Sequence, residues 1–283
     1  MYIFKTVQDL QQYLRTQKKQ AKRIGFVPTM GALHRGHLNL VQRAFDDCDL
    51  VVCSIFVNPT QFGDPEDLTK YPRPIESDIQ KLEQLGCSVL FLPAVSEIYP
   101  KDLLSPSIDL KGLDTTMEGA HRPGHFEGVV QVILRFLDIL EPDFLYMGQK
   151  DYQQFAVIKY VLQLLQLKTQ LVCVPIVREE DGLAMSSRNI RLSPEGRQRA
   201  LLISKMLFQA KEHAASMSLE EVKKHALAFI DQHQLEVDYF TIIDGDSLEN
   251  INSFDKATTV TACTTVRIDG VRLLDNIILR ESI

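Results

Sequence analysis

Short apolar runs alternate with segments of helical period between residues 22 and 177. That alternation predicts an α/β fold, a doubly wound parallel sheet with helices on both faces. One run, Asp49–Val57 (DLVVCSIFV), is apolar nearly throughout, as a central parallel strand covered on both faces must be. After about residue 177 two helical segments precede strand-like runs, which predicts a smaller α+β C-terminal domain. The expected division is 1–177 and 178–283, with the second part acting as a lid.

Each element follows from its own signals. Thr6–Lys19 reads as an amphipathic helix with Val7, Leu10 and Leu14 on one face. Residues 22–28 read as a strand whose apolar run, Ile24–Val27, ends at Pro28. Residues 36–46 repeat apolar positions at Leu38, Val41, Ala44 and Phe45, a helix. Ile75–Leu85 has helical period and Ser88–Leu92 returns to strand. Gly128–Leu140 (GVVQVILRFLDIL) is a largely apolar helix stopped by Glu141-Pro142. Phe144–Met147 predicts a short strand, Tyr152–Leu167 a helix and Leu171–Val177 a strand. Ser193 is a helix cap with Pro194 at the first helical position, and that helix runs to about Ala215. Ser218 with Glu221 forms a capping box for a helix to about His233. Strand-like runs at Val237–Ile243, Thr258–Ile268 and Val271–Leu279 complete the chain.

Composition narrows the function classes. With 283 residues and 45% hydrophobic content, a full core can form. The net charge is −6, from 31 basic and 37 acidic residues, with no long basic run, which disfavours a nucleic-acid partner. Five cysteines (48, 53, 87, 173 and 263) show no CxxC and no zinc spacing, and read as buried thiols in a reducing compartment. No apolar stretch approaches the ~20 residues of a membrane span, so a soluble cytoplasmic protein is expected.

Phe26–Leu40 (FVPTMGALHRGHLNL) is strand, glycine-containing loop and helix, with His34 and His37 at the helix entrance. A helix N-terminus offers N–H groups and partial positive charge to an anion. Imidazoles placed there can add hydrogen bonds or proton transfer to a phosphate. The i, i+3 spacing puts both rings on one face if the helix has begun by His34. A surface pair or structural cap is the alternative, and zinc lacks a third ligand nearby in sequence.

Four further loops follow strands or join helices. Asn58-Pro-Thr-Gln61 offers amides to a substrate bearing hydroxyl and carboxylate groups, or is a plain Asn-Pro turn. His121–Gly128 (HRPGHFEG) is an anion-touching loop or lid, or a solvent loop. Gly148–Asp151 (GQKD) brings Lys150 as a point charge for phosphate, though it is not a Walker A loop. Asp181–Asn189 (DGLAMSSRN), at the expected domain junction, carries two serines and Arg188 suited to phosphate, or is a linker. All fall beyond carboxyl ends of strands in one inferred sheet, where such folds bind ligands.

Taken together, PTMGALHRGH at 28–37, NPTQF at 58–62, YPRP at 71–74, HRPGHFEGV at 121–129, GQKDYQQ at 148–154 and DGLAMSSRN at 181–189 closely resemble the pantothenate synthetase (pantoate–β-alanine ligase) family. The wider class is that of HIGH-motif nucleotidylyltransferases. The resemblance implies a Rossmann-like domain with a smaller C-terminal domain, and a homodimer. It implies synthesis of pantothenate from (R)-pantoate, β-alanine and ATP with Mg²⁺, through pantoyl adenylate, releasing pyrophosphate and then AMP. It implies ATP contacts from Met30, Gly31, Ala32, Leu33, His34, Arg35, Gly36 and His37. Gly148, Gln149, Lys150 and Asp151, then Val177, Met185, Ser186, Ser187 and Arg188, complete that set. Gln61 matches the contact to pantoate and β-alanine, Gln154 a second pantoate contact, and His37 the proton donor. Gln149 stands where some members carry Glu. No protein metal site and no tightly bound organic cofactor are implied.

That scheme is physically sensible. Adenylation gives a carboxylate a good leaving group, and attack at the α-phosphorus gathers negative charge. His34, His37, Lys150, Arg188, helix N–H groups and Mg²⁺ would stabilise it. Two other readings remain, a related enzyme transferring AMP or CMP to a phosphorylated acceptor, and a non-enzymatic nucleotide binder.

Overall fold

The computed structural model describes residues 1–103 and 107–281. The chain divides into two compact units, Met1–Gly148 with Val157–Val174, and Gln149–Ala156 with Pro175–Ile283.

The first unit is built on β1 (Tyr2–Phe4), α1 (Val7–Lys19), β2 (Ile24–Thr29), α2 (Arg35–Asp47), β3 (Leu50–Ile55), α3 (Pro65–Lys70), α4 (Ile75–Leu85) and β4 (Val89–Phe91). It continues through α5 (Val95–Ile98), α6 (Met117–His121), α7 (His125–Leu140), β5 (Phe144–Gly148), α8 (Tyr152–Leu164) and β6 (Gln170–Val174), the first turns of α8 grouping with the second unit. Six strands pair in the order β1-β4-β3-β2-β5-β6, all parallel. The chain leaves β2 toward β3 and β4, then returns to its other side with β5. The β2/β5 pair is therefore the topological switch point, where sheets of this kind bind ligands beyond their carboxyl ends. β3 is buried at every position, as its unbroken apolar sequence requires. On one face Phe136 of α7 packs on Phe26, Phe56 and Phe91, with ring centroids 5.2, 6.0 and 6.2 Å away.

Helix ends follow their sequence signals. Thr6 caps α1, and Gly86, with φ +84°, ends α4 in the left-handed conformation that glycine adopts without strain. Differences from the sequence reading have local causes. β6 stops at Val174 because Pro175 has no N–H to continue the ladder. α7 starts at His125, three residues earlier than its apolar run, because left-handed Gly124 (φ +78°) turns the chain into it. β1, α3, α5 and α6 span three to six residues each and are too short to show periodicity. Cys53, Cys87 and Cys263 are buried, and burial pushes their thiols up, Cys87 to about 11. Cys48 is half-buried and Cys173 exposed, which departs from the reading of buried thiols; Cys173 lies on edge strand β6. No helix among the described residues is long and apolar enough to cross a membrane.

In the second unit α9 (Pro194–His213) and α10 (Leu219–Gln232) precede an antiparallel sheet, β7 (Glu236–Asp244), β8 (Thr259–Ile268) and β9 (Val271–Glu281), in the order β7-β8-β9. Ile203, Leu207, Val222, Val260, Ala262 and Val266 form part of one core between helices and sheet. Asp269-Gly270, both at positive φ, make the two-residue turn between β8 and β9 that matches strand twist. Asp269 also accepts the Ser193 N–H and hydroxyl at 2.8 Å each, tying the turn to the start of α9.

Across this sheet the Asp238 carboxylate accepts from Arg267 Nε and Arg272 Nε, each at 2.6 Å. Desolvation raises its pKa, but the two guanidinium bonds outweigh that and hold it below its ordinary value. A depressed folded pKa contributes stability that is complete above the ordinary carboxylate range and is lost as pH falls through the folded value. Asp238→Asn should therefore lower stability by about 2–4 kcal/mol at neutral pH, two charge-assisted bonds being weakened. Its deficit should shrink below about pH 4. Melting temperatures of parent and variant from pH 3 to 7 test this; a constant difference across that range contradicts the linkage.

Candidate active site

β2 ends at Thr29, and the chain then enters the loop toward α2 with two successive left-handed residues, Gly31 (φ +81°) and Ala32 (φ +50°). The fully buried Asp78 of α4 holds this loop. Its carboxylate oxygens accept the N–H groups of Ala32 and Leu33 at 2.8 Å each. Lys81 Nζ donates to the Leu33 carbonyl at 2.7 Å. Thr29 Oγ1 accepts from Gly31 N at 3.2 Å and donates to the Ser54 carbonyl at 2.7 Å. The N–H groups of Ala32 and Leu33 thus serve Asp78, and the Leu33 side chain lies in the core.

His34 is the helix cap, with extended backbone (φ −127°, ψ 174°), and α2 begins at Arg35. The helical premise for pairing the rings therefore does not hold at His34. Reciprocal capping brings them together instead. His34 Nδ1 accepts the Gly36 N–H at 3.1 Å, and His37 Nδ1 accepts the His34 N–H at 3.3 Å. The ring centroids are 4.0 Å apart. A backbone N–H can only donate, so each Nδ1 is unprotonated and each neutral ring carries its proton on Nε2. Two imidazoles are thereby held together at a helix N-terminus, where the backbone favours negative charge.

The Pro59–Gln61 turn is equally determined from within the first unit. Asn58, 1% exposed, accepts through Oδ1 from the Thr60 hydroxyl at 3.1 Å and the Tyr99 hydroxyl at 2.9 Å. Its Nδ2 donates to the Gly128 carbonyl at 3.0 Å and to Gln61 Oε1 at 3.1 Å. Asn58 is therefore a clamp inside the turn, and the expectation of a substrate-facing amide there passes to Gln61 alone. Gln61 Nε2 donates to Met30 Sδ at 3.3 Å, joining the two sequence motifs. His125 supports the turn from below: its Nε2 lies 3.0 Å from Arg122 Nη1, which only donates, so Nδ1 carries the proton and donates to the Gln61 carbonyl at 2.9 Å. The 121–128 segment, read from sequence as a lid or anion loop, includes these supports. No local sequence signal marks Tyr99 as a support of Gln61, whereas His125 and Gly128 stand in the HRPGHFEG motif.

In the second unit, Gln149–Asp151 forms one 3₁₀ turn following β5, whose last residue is Gly148. Asn276 of β9 donates to the carbonyls of Gln149 and Lys150 at 3.0 and 2.9 Å. Lys150 Nζ is 3.4 Å from the Asp151 carboxylate. Gln154 is half-buried in the first turns of α8. Val177 and Met185, eight positions apart, are brought opposite each other by a small hairpin: Met185 N donates to the Val177 carbonyl at 3.0 Å, and Arg178 bridges Ala184. Asn189 braces it through Glu179 Oε1 at 2.7 Å and the Ala184 carbonyl at 3.1 Å. Beyond it Ser186 Oγ accepts the Arg188 N–H at 3.3 Å, and Ser186, Ser187 and Arg188 are half-buried.

These features recur in known proteins. The family model for pantoate-beta-alanine ligase matches residues 2–278. Pantothenate synthetase of Bacteroides thetaiotaomicron is 45% identical over 282 residues, covering 99% of this chain and 100% of the relative. That of Porphyromonas gingivalis is 45% identical over 278 residues, covering 98% and 99%. The solved pantothenate synthetase of Thermus thermophilus superposes with TM-score 0.91 at 38% identity, covering 99% of both chains. The pantoate-beta-alanine ligase of Francisella tularensis, complexed with beta-gamma ATP and beta-alanine, superposes with TM-score 0.80 at 35% identity, covering 99% and 98%. With fold, motifs and full-length similarity in agreement, the chain belongs to the pantoate-beta-alanine ligase family.

Proposed function

We propose that this chain condenses (R)-pantoate with β-alanine, using ATP, to give pantothenate, AMP and pyrophosphate. The observation that carries the reading is the full-length match to the pantoate-beta-alanine ligase family, with the reciprocal histidine cap holding His34 and His37 at one helix entrance. The Francisella relative with beta-gamma ATP and beta-alanine supports it. In the first step a pantoate carboxylate oxygen attacks the α-phosphorus and pyrophosphate leaves. In the second, the β-alanine nitrogen attacks the acyl carbon and AMP leaves. No covalent enzyme intermediate is needed, so the protein's work is positioning and electrostatics.

In this reading Met30–His37, Gly148–Asp151, Val177 and Met185–Arg188 contact ATP. His34, His37, Lys150 and Arg188 stabilise charge moving toward pyrophosphate, His37 acting as a hydrogen-bond donor to the phosphate oxygens through its Nε2–H. Gln61 and Gln154 bind pantoate, and Gln61 also meets β-alanine. Mg²⁺ would accompany the nucleotide and neutralise part of the charge on its phosphates. Membership of the family supports a cytoplasmic homodimer.

Pyrophosphate release from ATP, with and without pantoate and β-alanine, tests the activity. Pantoate-dependent release is expected, and release independent of pantoate points to another nucleotidyl acceptor. In the same assay Gln61→Ala should raise KM for pantoate by roughly tenfold or more and leave that for ATP within about twofold, as expected for a lost pair of neutral hydrogen bonds. Equal effects on both substrates contradict its placement.

A further inference from the structure

Adjacent residues of β9, Asp275 and Asn276, are polar yet only 4% and 2% exposed. The Asp275 carboxylate accepts a bidentate pair from Arg178, Nη1 at 2.7 Å and Nη2 at 2.9 Å, and the Asn276 N–H at 2.8 Å. Arg178 is the residue that opens the hairpin carrying Met185–Arg188, and its Nη1 also reaches the Gly182 carbonyl at 3.2 Å. Its guanidinium lies over the Phe208 ring, 5.0 Å from the centroid.

Asn276 faces the other segment. Its Nδ2 uses both hydrogens on the carbonyls of Gln149 and Lys150, and its Oδ1 accepts from Gln149 Nε2 at 3.0 Å. Two consecutive side chains on one strand of the second unit therefore grip two segments roughly 30 positions apart in sequence. A buried ion pair is a poor source of stability, since well-packed apolar residues do as well or better. A fully satisfied polar network does define a unique geometry. Here the geometry it defines is that of the Lys150 turn against the Val177–Met185 hairpin, from which the Ser186–Arg188 segment continues.

We infer that Asp275 and Asn276 are positioning residues that set Lys150 and the Ser186–Arg188 segment in one fixed arrangement for the triphosphate of the nucleotide. The inference rests on the reading of those two segments as ATP contacts. Neither residue touches substrate; each acts through the segment it holds. Misplacing a charge by about 1 Å can cost on the order of 100-fold in rate. The effect falls on adenylate formation, where the triphosphate is present, and spares the second step, where it has gone.

The test separates the two half-reactions. Asn276→Ala should slow pantoate-dependent pyrophosphate release by about 10–100-fold. Conversion of supplied pantoyl adenylate and β-alanine to pantothenate should stay within about twofold. In a Lys150→Ala background the added loss from Asn276→Ala should fall to about twofold or less, since the group being positioned is gone. The isosteric Asn276→Asp, which loses the amide donors and keeps the volume, is read by the same criteria should the alanine variant fold poorly. Equal losses in both half-reactions, or full additivity with Lys150→Ala, overturn the inference alone. Wild-type pyrophosphate release by Lys150→Ala overturns the reading of Lys150 as a phosphate contact, and the inference with it.

Discussion

Replacing His37 by alanine should lower pantoate-dependent pyrophosphate release by at least about 100-fold, the scale of losing one positioned hydrogen-bond donor or charge-stabilising group. The loss has two physical parts. The Nε2–H donor disappears, and so does the Nδ1 acceptor that satisfies the His34 N–H. His37→Gln separates them. Glutamine at the third helical position can reach back to the cap N–H, as in an ordinary capping box, but has no imidazole. It should retain the melting temperature of the parent and still lose most of the activity. Near-normal adenylate formation in His37→Ala removes His37 from the chemistry and leaves it a cap.

Gly128→Ala is expected to damage both stability and pantoate binding. A Cβ built on Gly128 would lie 2.4 Å from the Thr60 carbonyl oxygen, 2.5 Å from its carbon and 2.7 Å from Gln61 N. Those atoms are backbone and cannot rotate away, so α7 or the Pro59–Gln61 turn has to shift. Such overpacking costs about 3 kcal/mol, at the upper end of the usual range. Unfolding of the first unit should then fall by roughly 6–12 °C. Because the turn carries Gln61, KM for pantoate should rise with it, while KM for ATP changes far less. An unchanged melting temperature together with an unchanged pantoate KM shows that the approach of α7 to the turn is loose.

Local chemistry made much of this molecule legible without coordinates. The apolar runs of β2 and β3, the capping box at Ser218 and Glu221, and Pro194 at the start of α9 are short-range signals, and each element formed where its residues called for it. The motifs that point to nucleotide chemistry are also contiguous in sequence: His34 and His37, Gly148–Asp151, and Met185–Arg188. Short elements such as β1 and α3 carry no sequence signal because three to six residues cannot display a period.

What the sequence by itself determined is the α/β order, the family and the residue types available to bind phosphate and a polar acid. What only the tertiary structure decided is how those residues are held. That Asn58 is spent inside its own turn, that both histidines present Nε2–H, and that His125 props Gln61 all depend on partners brought close in space. The joining of Gln61 to Met30 and of Asn276 to the Lys150 turn spans 31 and 126 positions. A hydrogen bond acts over about 3 Å and carries no trace of the chain length that separates its partners, so no pattern in the sequence could have announced them.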